Sequence, residues 1–229
     1  MKPLNNLATA TIPNSGGELT LFRRENEFSI RLSGTRGELM NSRVYNSGRA
    51  LAKIGCAHIL NRDNSRVLVG GLGMGYTLAS ALECVTANSR VIVAELLPEI
   101  VEWNRGPLGE CAGNPLADGR CDVRLGDIAE LIQSQQLDFD AILLDVDNGP
   151  EGITHSDNSW LYSTSGLDAL YNSLRPAGVL AVWSAGADPT FTNRLKKSGF
   201  SVEVSTVRAR PGKGSRHTIF QGKKPLREA

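Results

Sequence analysis

From Glu18 onward, two short runs alternate polar with apolar residues: Glu18-Leu19-Thr20-Leu21-Phe22 and Glu27-Phe28-Ser29-Ile30-Arg31-Leu32. Alternation of period two gives each run one apolar face, so the spacing predicts two half-buried strands with the charged Arg23 to Asn26 as a hairpin turn. A third short strand around Glu38 to Met40 follows Gly34 and Gly37, completing a small antiparallel sheet. Residues 1–16 are polar and lead into Gly17, and they read as a loose arm. Ser47 is placed as the N-cap of a helix whose apolar positions Leu51, Ile54, Ala57 and His58 recur at helical spacing, ending near Asn61 to Asn64. His58 reads as a packed or solvent-tipped side chain rather than a reactive one.

At Arg66 the period changes. Val67-Leu68-Val69, Val91-Ile92-Val93, Ala141 to Leu144 and Val179 to Val182 are short apolar runs without alternation, the pattern of strands buried on both faces of a parallel sheet. Helical segments at Thr77 to Thr86, Pro98 to Asn104, Ile128 to Gln135, Ser165 to Leu174 and Pro189 to Ser198 lie between or after them. A βαβαβα alternation of this kind predicts an α/β fold with a doubly wound sheet. Ser201 to Arg208 and His217 to Gln221, joined through Pro211-Gly212-Lys213-Gly214, form an antiparallel hairpin that ends the sheet. The expected division is an arm and small sheet over residues 1–45, then an α/β domain over 46–229.

The chain has 229 residues, 41% of them hydrophobic and 21% charged, enough for one large core and too little charge for wholesale disorder. With 25 Lys+Arg against 24 Asp+Glu the net charge is +1, so no global field favours nucleic acid or an anionic membrane. The basic residues Arg208, Arg210, Lys213, Arg216, Lys223 and Lys224 on the terminal hairpin read as a solvated face. No apolar run approaches the ~20 residues of a membrane span, and Met1-Lys2-Pro3-Leu4 opens no signal-like stretch, so a cytoplasmic protein is expected. Cys56, Cys84, Cys111 and Cys121 are widely spaced and read as free thiols; His58, His155 and His217 are too far apart for a zinc site, and no metal is expected.

The strongest chemical signal is Val67-Leu68-Val69-Gly70-Gly71-Leu72-Gly73-Met74-Gly75, a strand running into glycines and then a helix. A dinucleotide fingerprint would need its third glycine at Tyr76, and no Gly-Lys-Ser/Thr follows for a P-loop. A tight turn without a ligand is the plain alternative. Glu95 ends the next strand, 20 residues after Gly75, where a carboxylate can accept both hydroxyls of a ribose. Gly126-Asp127 follows the strand Asp122 to Leu125, with Asp127 able to accept from an adenine amino group. Asp145 and Asp147 end the fourth parallel strand. These acidic groups gather along the edge where such sheets bind ligands, with no Arg or Lys grip for a phosphate, so the ligand reads as a nucleoside carrying positive charge. Trp103-Asn104 could wall the adenosine, although Trp103 is equally placed for the core. The polar loop 149–162, with His155, Asp157, Trp160 and Tyr162, reads as a lid whose aromatics either stack on the ligand or pack the loop onto the sheet.

On these residues the chain resembles the spermidine synthase (aminopropyltransferase) family within the class I S-adenosylmethionine-dependent methyltransferase fold. The resemblance rests on Gly71 to Gly75, Glu95, Gly126-Asp127 and Asp145 to Pro150, and covers nearly the whole chain. It implies a seven-stranded, mostly parallel sheet of Rossmann-like type behind the small N-terminal sheet. It also implies binding of S-adenosylmethionine or its decarboxylated form by Gly71, Gly73, Met74, Gly75, Glu95, Gly126 and Asp127. Glu95 would take the ribose, Asp127 the adenine and Asp145 the catalytic edge; Asp147, one residue before the family's second position, joins Asp145 as a candidate for holding the acceptor.

Three positions depart from the family pattern. Met74 stands where the family has the Asp that holds the aminopropyl amine, Asn148 where it has the second Asp of Asp-x-x-Asp-Pro, and Tyr45-Asn46-Ser47 where it has Tyr-His-Glu. The expectation is therefore a group transferase acting on a small acceptor, with amines among the candidates, and with methyl transfer or a non-polyamine acceptor favoured over spermidine synthesis proper. A homodimer is left open. A non-catalytic nucleoside-binding or interaction protein is the alternative. Alkylation by a sulfonium is consistent with few catalytic groups, because alignment of the reactants alone can supply roughly 7 to 11 kcal/mol.

Overall fold

The computed structural model describes residues 3–13, 17–35, 37–134, 138–146 and 160–226. The alternating N-terminal runs form strands β2 (Glu18–Arg24) and β3 (Glu27–Leu32), joined through Glu25, which adopts φ +57°. Strand β4 (Met40–Asn41) extends this sheet on one side, and β1 (Asn5–Thr11) on the other, giving the antiparallel order β1-β2-β3-β4. The loose arm expected over residues 1–16 is therefore corrected to include an edge strand. Ala10 is the one buried residue of β1, so its side chains carry almost no pattern. Its order comes from backbone pairing, from Asn5 opposite Arg23 to Thr11 opposite Glu18.

Helix α1 (Asn46–Cys56) follows and tightens into a 3-10 turn at Ala57–Ile59. Its N-cap is Tyr45, with no side-chain capping bond, and Ser47 lies buried within the first turn rather than capping it. The main sheet then builds from β5 (Arg66–Gly70), β6 (Arg90–Glu95), β7 (Cys121–Leu125), β8 (Phe139–Leu144), β9 (Leu174–Ser184), β10 (Ser201–Arg210) and β11 (Lys213–Lys223). Its order is β10-β11-β9-β8-β5-β6-β7. Strand β11 pairs antiparallel with both neighbours, and the β5, β6, β7, β8 and β9 pairings are parallel. The sheet is thus seven-stranded and mostly parallel.

Helices α2 (Tyr76–Cys84) and α3 (Pro98–Arg105) join α1 on one face; α4 (Ile128–Ser134), α5 (Thr164–Ser173) and α6 (Pro189–Lys197) cover the other. The doubly wound pattern follows directly from strands that are apolar on both sides, Phe139–Leu144 being buried at every position. Leu19, Leu21, Phe28 and Ile30 of the small sheet belong to the same hydrophobic cluster as Leu51, Leu78 and Ile100, so the small sheet closes over the α1–α3 layer. At the sheet end away from the glycine turn, fully buried Asp140 takes Arg175 Nη1 and the Arg66 amide, each at 2.8 Å, on one carboxylate oxygen. His58 Nε2 lies 3.0 Å from the Asp140 carbonyl oxygen, a packed role as expected.

Candidate functional site

The turn after β5 brings three glycines into the left-handed region: Gly71 at φ +83°, Gly73 at φ +49° and Gly75 at φ +79°. Two of them are also forced by close approach. A Cβ on Gly71 would sit 2.7 Å from the Asp145 carbonyl oxygen, and one on Gly75 would sit 2.9 Å from Asn104 Oδ1. Asn104, on α3, donates through Nδ2 to the Gly73 and Ile100 carbonyls, each at 2.9 Å. Tyr76, where a dinucleotide fingerprint would place glycine, opens α2 and donates its hydroxyl to the Ser42 carbonyl at 2.8 Å, tying the turn to the small sheet. Burial pushes its phenol up to about 12.

Glu95 ends β6 beneath this turn, 8% exposed. Its two oxygens accept the Leu72 amide at 2.9 Å and the Leu97 amide at 3.0 Å. Burial raises its pKa, and these backbone donors hold the rise down. Glu95 therefore shapes the glycine turn itself while lining the cavity beneath it. Asp127 follows Gly126 (φ +135°) and accepts the Ala129 amide at 2.8 Å, in the first turn of α4. Asp145 extends β8 by one residue, its amide donating to the Gly70 carbonyl at 2.9 Å. Its Oδ2 accepts from Thr77 Oγ1 at 2.5 Å. Burial raises its pKa, opposed by that hydroxyl.

These groups converge on one cavity of about 480 Å³, within the range of small-molecule sites. Gly71, Gly73, Met74, Glu95, Gly126, Asp127 and Asp145 of the expected set line it. Gly75 is not on its wall, and serves as the αL N-cap of α2. Met74 is 6% exposed and joins the α1–α3 core, presenting apolar surface where the related pattern has a carboxylate. Asp147 and most of the lid expected over 149–162 lie outside the described residues. Of that loop, Tyr162 is buried against Phe191, with ring centroids 5.7 Å apart, and Trp160 packs on the α4–α6 core. Both belong to the sheet face opposite α1 and neither lines the cavity. Trp103 is likewise a core residue, 6% exposed.

The pattern of residues did not reveal the remaining walls. Leu39, Met40 and Val44 close the cavity from the small sheet side, and Trp183, Ala209 and His217 from the terminal hairpin side. Glu38 also reaches it, ion-paired with Arg43 at 2.6 Å. Gly48 lets α1 approach, since a Cβ there would lie 2.7 Å from Thr77 Oγ1. Among the described residues no lysine or arginine lines the cavity, whereas Glu95, Asp127 and Asp145 do. Such a wall favours a ligand bearing positive charge and offers nothing to a phosphate.

A sheet of this strand order, with a glycine turn after its central strand and carboxylates after the next strands, defines the class I methyltransferase-like fold. The spermine/spermidine synthase domain matches residues 51–199, and the chain belongs to that family. It is 31% identical over 130 residues to polyamine aminopropyltransferase 2 of Pseudomonas aeruginosa, a stretch covering 55% of this chain and 34% of that protein. The chain thus matches about a third of that relative's length. Two solved structures share the fold. Spermidine synthase from Thermotoga maritima has a TM-score of 0.73 at 17% identity, over 96% of this chain and 73% of that one. A spermidine synthase in complex with the transition state analogue AdoDATO has a TM-score of 0.72 at 18% identity, with the same coverage. No described helix is long and apolar enough to cross a membrane.

Proposed function

We propose that this protein transfers an aminopropyl group from decarboxylated S-adenosylmethionine to a small amine. The observation that carries this reading is the cavity beside the glycine turn, walled by Glu95, Asp127 and Asp145 without a described cationic side chain. A sulfonium donor and an ammonium acceptor are both positively charged, and both gain from that wall. Glu95, on the cavity wall, accepts the ribose hydroxyls, and Asp127 accepts from the adenine amino group. Asp145, held by Thr77, faces the acceptor. The acceptor nitrogen's lone pair forms a bond to the carbon beside sulfur as the carbon–sulfur bond breaks, its electron pair staying on sulfur to leave the neutral thioether methylthioadenosine. Positive charge on sulfur is lost in this step, so the carboxylates mainly align the reactants.

A second reading is methyl transfer from S-adenosylmethionine itself, favoured by Met74, whose apolar side chain supplies no carboxylate for the donor's amine. Purified protein incubated with each donor and a panel of putrescine, cadaverine, agmatine and spermidine separates the two. Release of methylthioadenosine with an aminopropylated amine supports the first reading, and S-adenosylhomocysteine with a methylated product supports the second. Neither product, combined with tight binding of methylthioadenosine by calorimetry, marks a binding protein without turnover.

A further inference from the structure

His217 lies on β11, the antiparallel strand inserted between β9 and β10, and lines the same cavity as Asp145. The sheet register fixes their relation. Leu144 pairs with Val182, which sets Asp145 level with Trp183, and Trp183 pairs with Ile219. Residues 143, 181 and 219 all pack into the α1-side core. By strand alternation Asp145, Trp183 and His217 share that face. Two strand spacings of about 4.8 Å and an offset of two residues, about 6.8 Å along the strand, separate Asp145 from His217, so their backbones stand on the order of 12 Å apart across the cavity wall. Trp183 fills the strand between, its ring meeting that of His217 edge to face at 4.7 Å.

The imidazole is unusual in one respect: its Nδ1 is buried and has no hydrogen-bond partner among the described residues. Buried polar atoms are normally satisfied, so the unpaired Nδ1 sets His217 apart from the other described residues that line the cavity. We propose that His217 is the proton acceptor for the incoming amine, an inference that rests on the aminopropyl-transfer reading above. The amine enters as an ammonium and has no lone pair to attack with. His217 takes one proton, the freed lone pair forms the carbon–nitrogen bond, and the carbon–sulfur bond breaks with its electrons passing to sulfur. The proton then leaves the imidazolium for solvent. Burial lowers the pKa of His217, which favours the neutral imidazole that can accept a proton. The sulfonium beside the ammonium favours the proton's departure, since like charges disfavour the charged form.

The test compares parent and His217→Gln, a side chain of similar reach that accepts no proton, using decarboxylated S-adenosylmethionine and the four amines above. The expected result is a fall of ~10²- to 10⁴-fold in kcat/KM, the usual contribution of a general base, with an unchanged Kd for methylthioadenosine. Added imidazole should partly restore a His217→Gly variant, which a merely structural role would not allow. Equal turnover in parent and His217→Gln overturns the proposal. If the parent releases no methylthioadenosine with any amine, the transfer reading fails instead. The imidazole resonances of His217, followed as spermidine is added to methylthioadenosine-loaded protein, then decide the site: a shift at Nδ1 sustains His217 as the amine contact, and an unmoved signal overturns it.

Discussion

Thr77 Oγ1 donates to Asp145 Oδ2 at 2.5 Å, joining the first turn of α2 to the end of β8 across the cavity wall. Gly48 of α1 makes the pair possible by approaching it without a Cβ. The hydroxyl steadies a carboxylate that burial would otherwise push toward its neutral form. Thr77→Val keeps the shape and removes this donor. A hydrogen bond to a charged group is worth roughly 1.5–3 kcal/mol, so turnover of the accepted amine should fall ~10- to 100-fold. Methylthioadenosine affinity, measured by calorimetry, should stay within about twofold; turnover equal to the parent's would remove Asp145 from the reacting edge.

Glu95 carries a different load, because both its oxygens already hold backbone amides of the glycine turn. Glu95→Ala frees the Leu72 and Leu97 amides and removes the proposed ribose acceptor together. A ~10- to 100-fold weaker Kd for methylthioadenosine is expected by calorimetry, from the loss of charge-assisted hydrogen bonds. An unchanged Kd would mean that the nucleoside binds elsewhere.

The glycine turn, the parallel strands and the acidic strand ends were legible because each imposes a local demand on residue type. Positive φ at Gly71 and Gly73 excludes most side chains, and burial of both faces of Phe139–Leu144 leaves an unbroken apolar run. Strand β1 was not legible, since an edge strand held by backbone pairing needs no side-chain pattern. Nor were the walls supplied by Met40, Trp183 and His217. Their place in the cavity arises from how the small sheet folds over α1 and where β11 inserts, and a lone histidine in an exposed-looking hairpin carries no trace of either. Trp160 and Tyr162 show the same limit from the other side: near the acidic edge in the chain, they pack on the opposite face of the sheet.

Leu21 of β2 is fully buried in the cluster that also contains Leu51 and Leu78. A shared core makes the small sheet and the α/β layers one cooperative unit. Leu21→Ala should cost ~2–5 kcal/mol and shift a single denaturant transition, seen alike by circular dichroism and by tryptophan fluorescence. Two separated transitions would show that the small sheet unfolds independently.

The buried carboxyl of Asp145 also sets a pH dependence whose sign can be worked out. Its folded pKa is raised above the ordinary carboxylate value, chiefly by burial, with the Thr77 hydroxyl opposing. A raised folded pKa means that the folded chain holds this proton more tightly than the unfolded chain does. The group's stabilising contribution is therefore complete below the unfolded value of about 3.9 and is lost as pH rises through the folded value. Asp145→Asn is uncharged throughout and retains an oxygen for the Thr77 hydroxyl. Without ligand, the variant should match the parent near pH 4 and gain on it as pH rises toward 7. Denaturant midpoints across that range measure the difference directly, and the raised carboxyl of Glu95 cancels because both proteins contain it. A difference that stays constant from pH 4 to 7 would show that Asp145 keeps an ordinary pKa. Its charge would then be as well solvated in the fold as in the unfolded chain, and a cationic donor or acceptor would gain little from pairing with it.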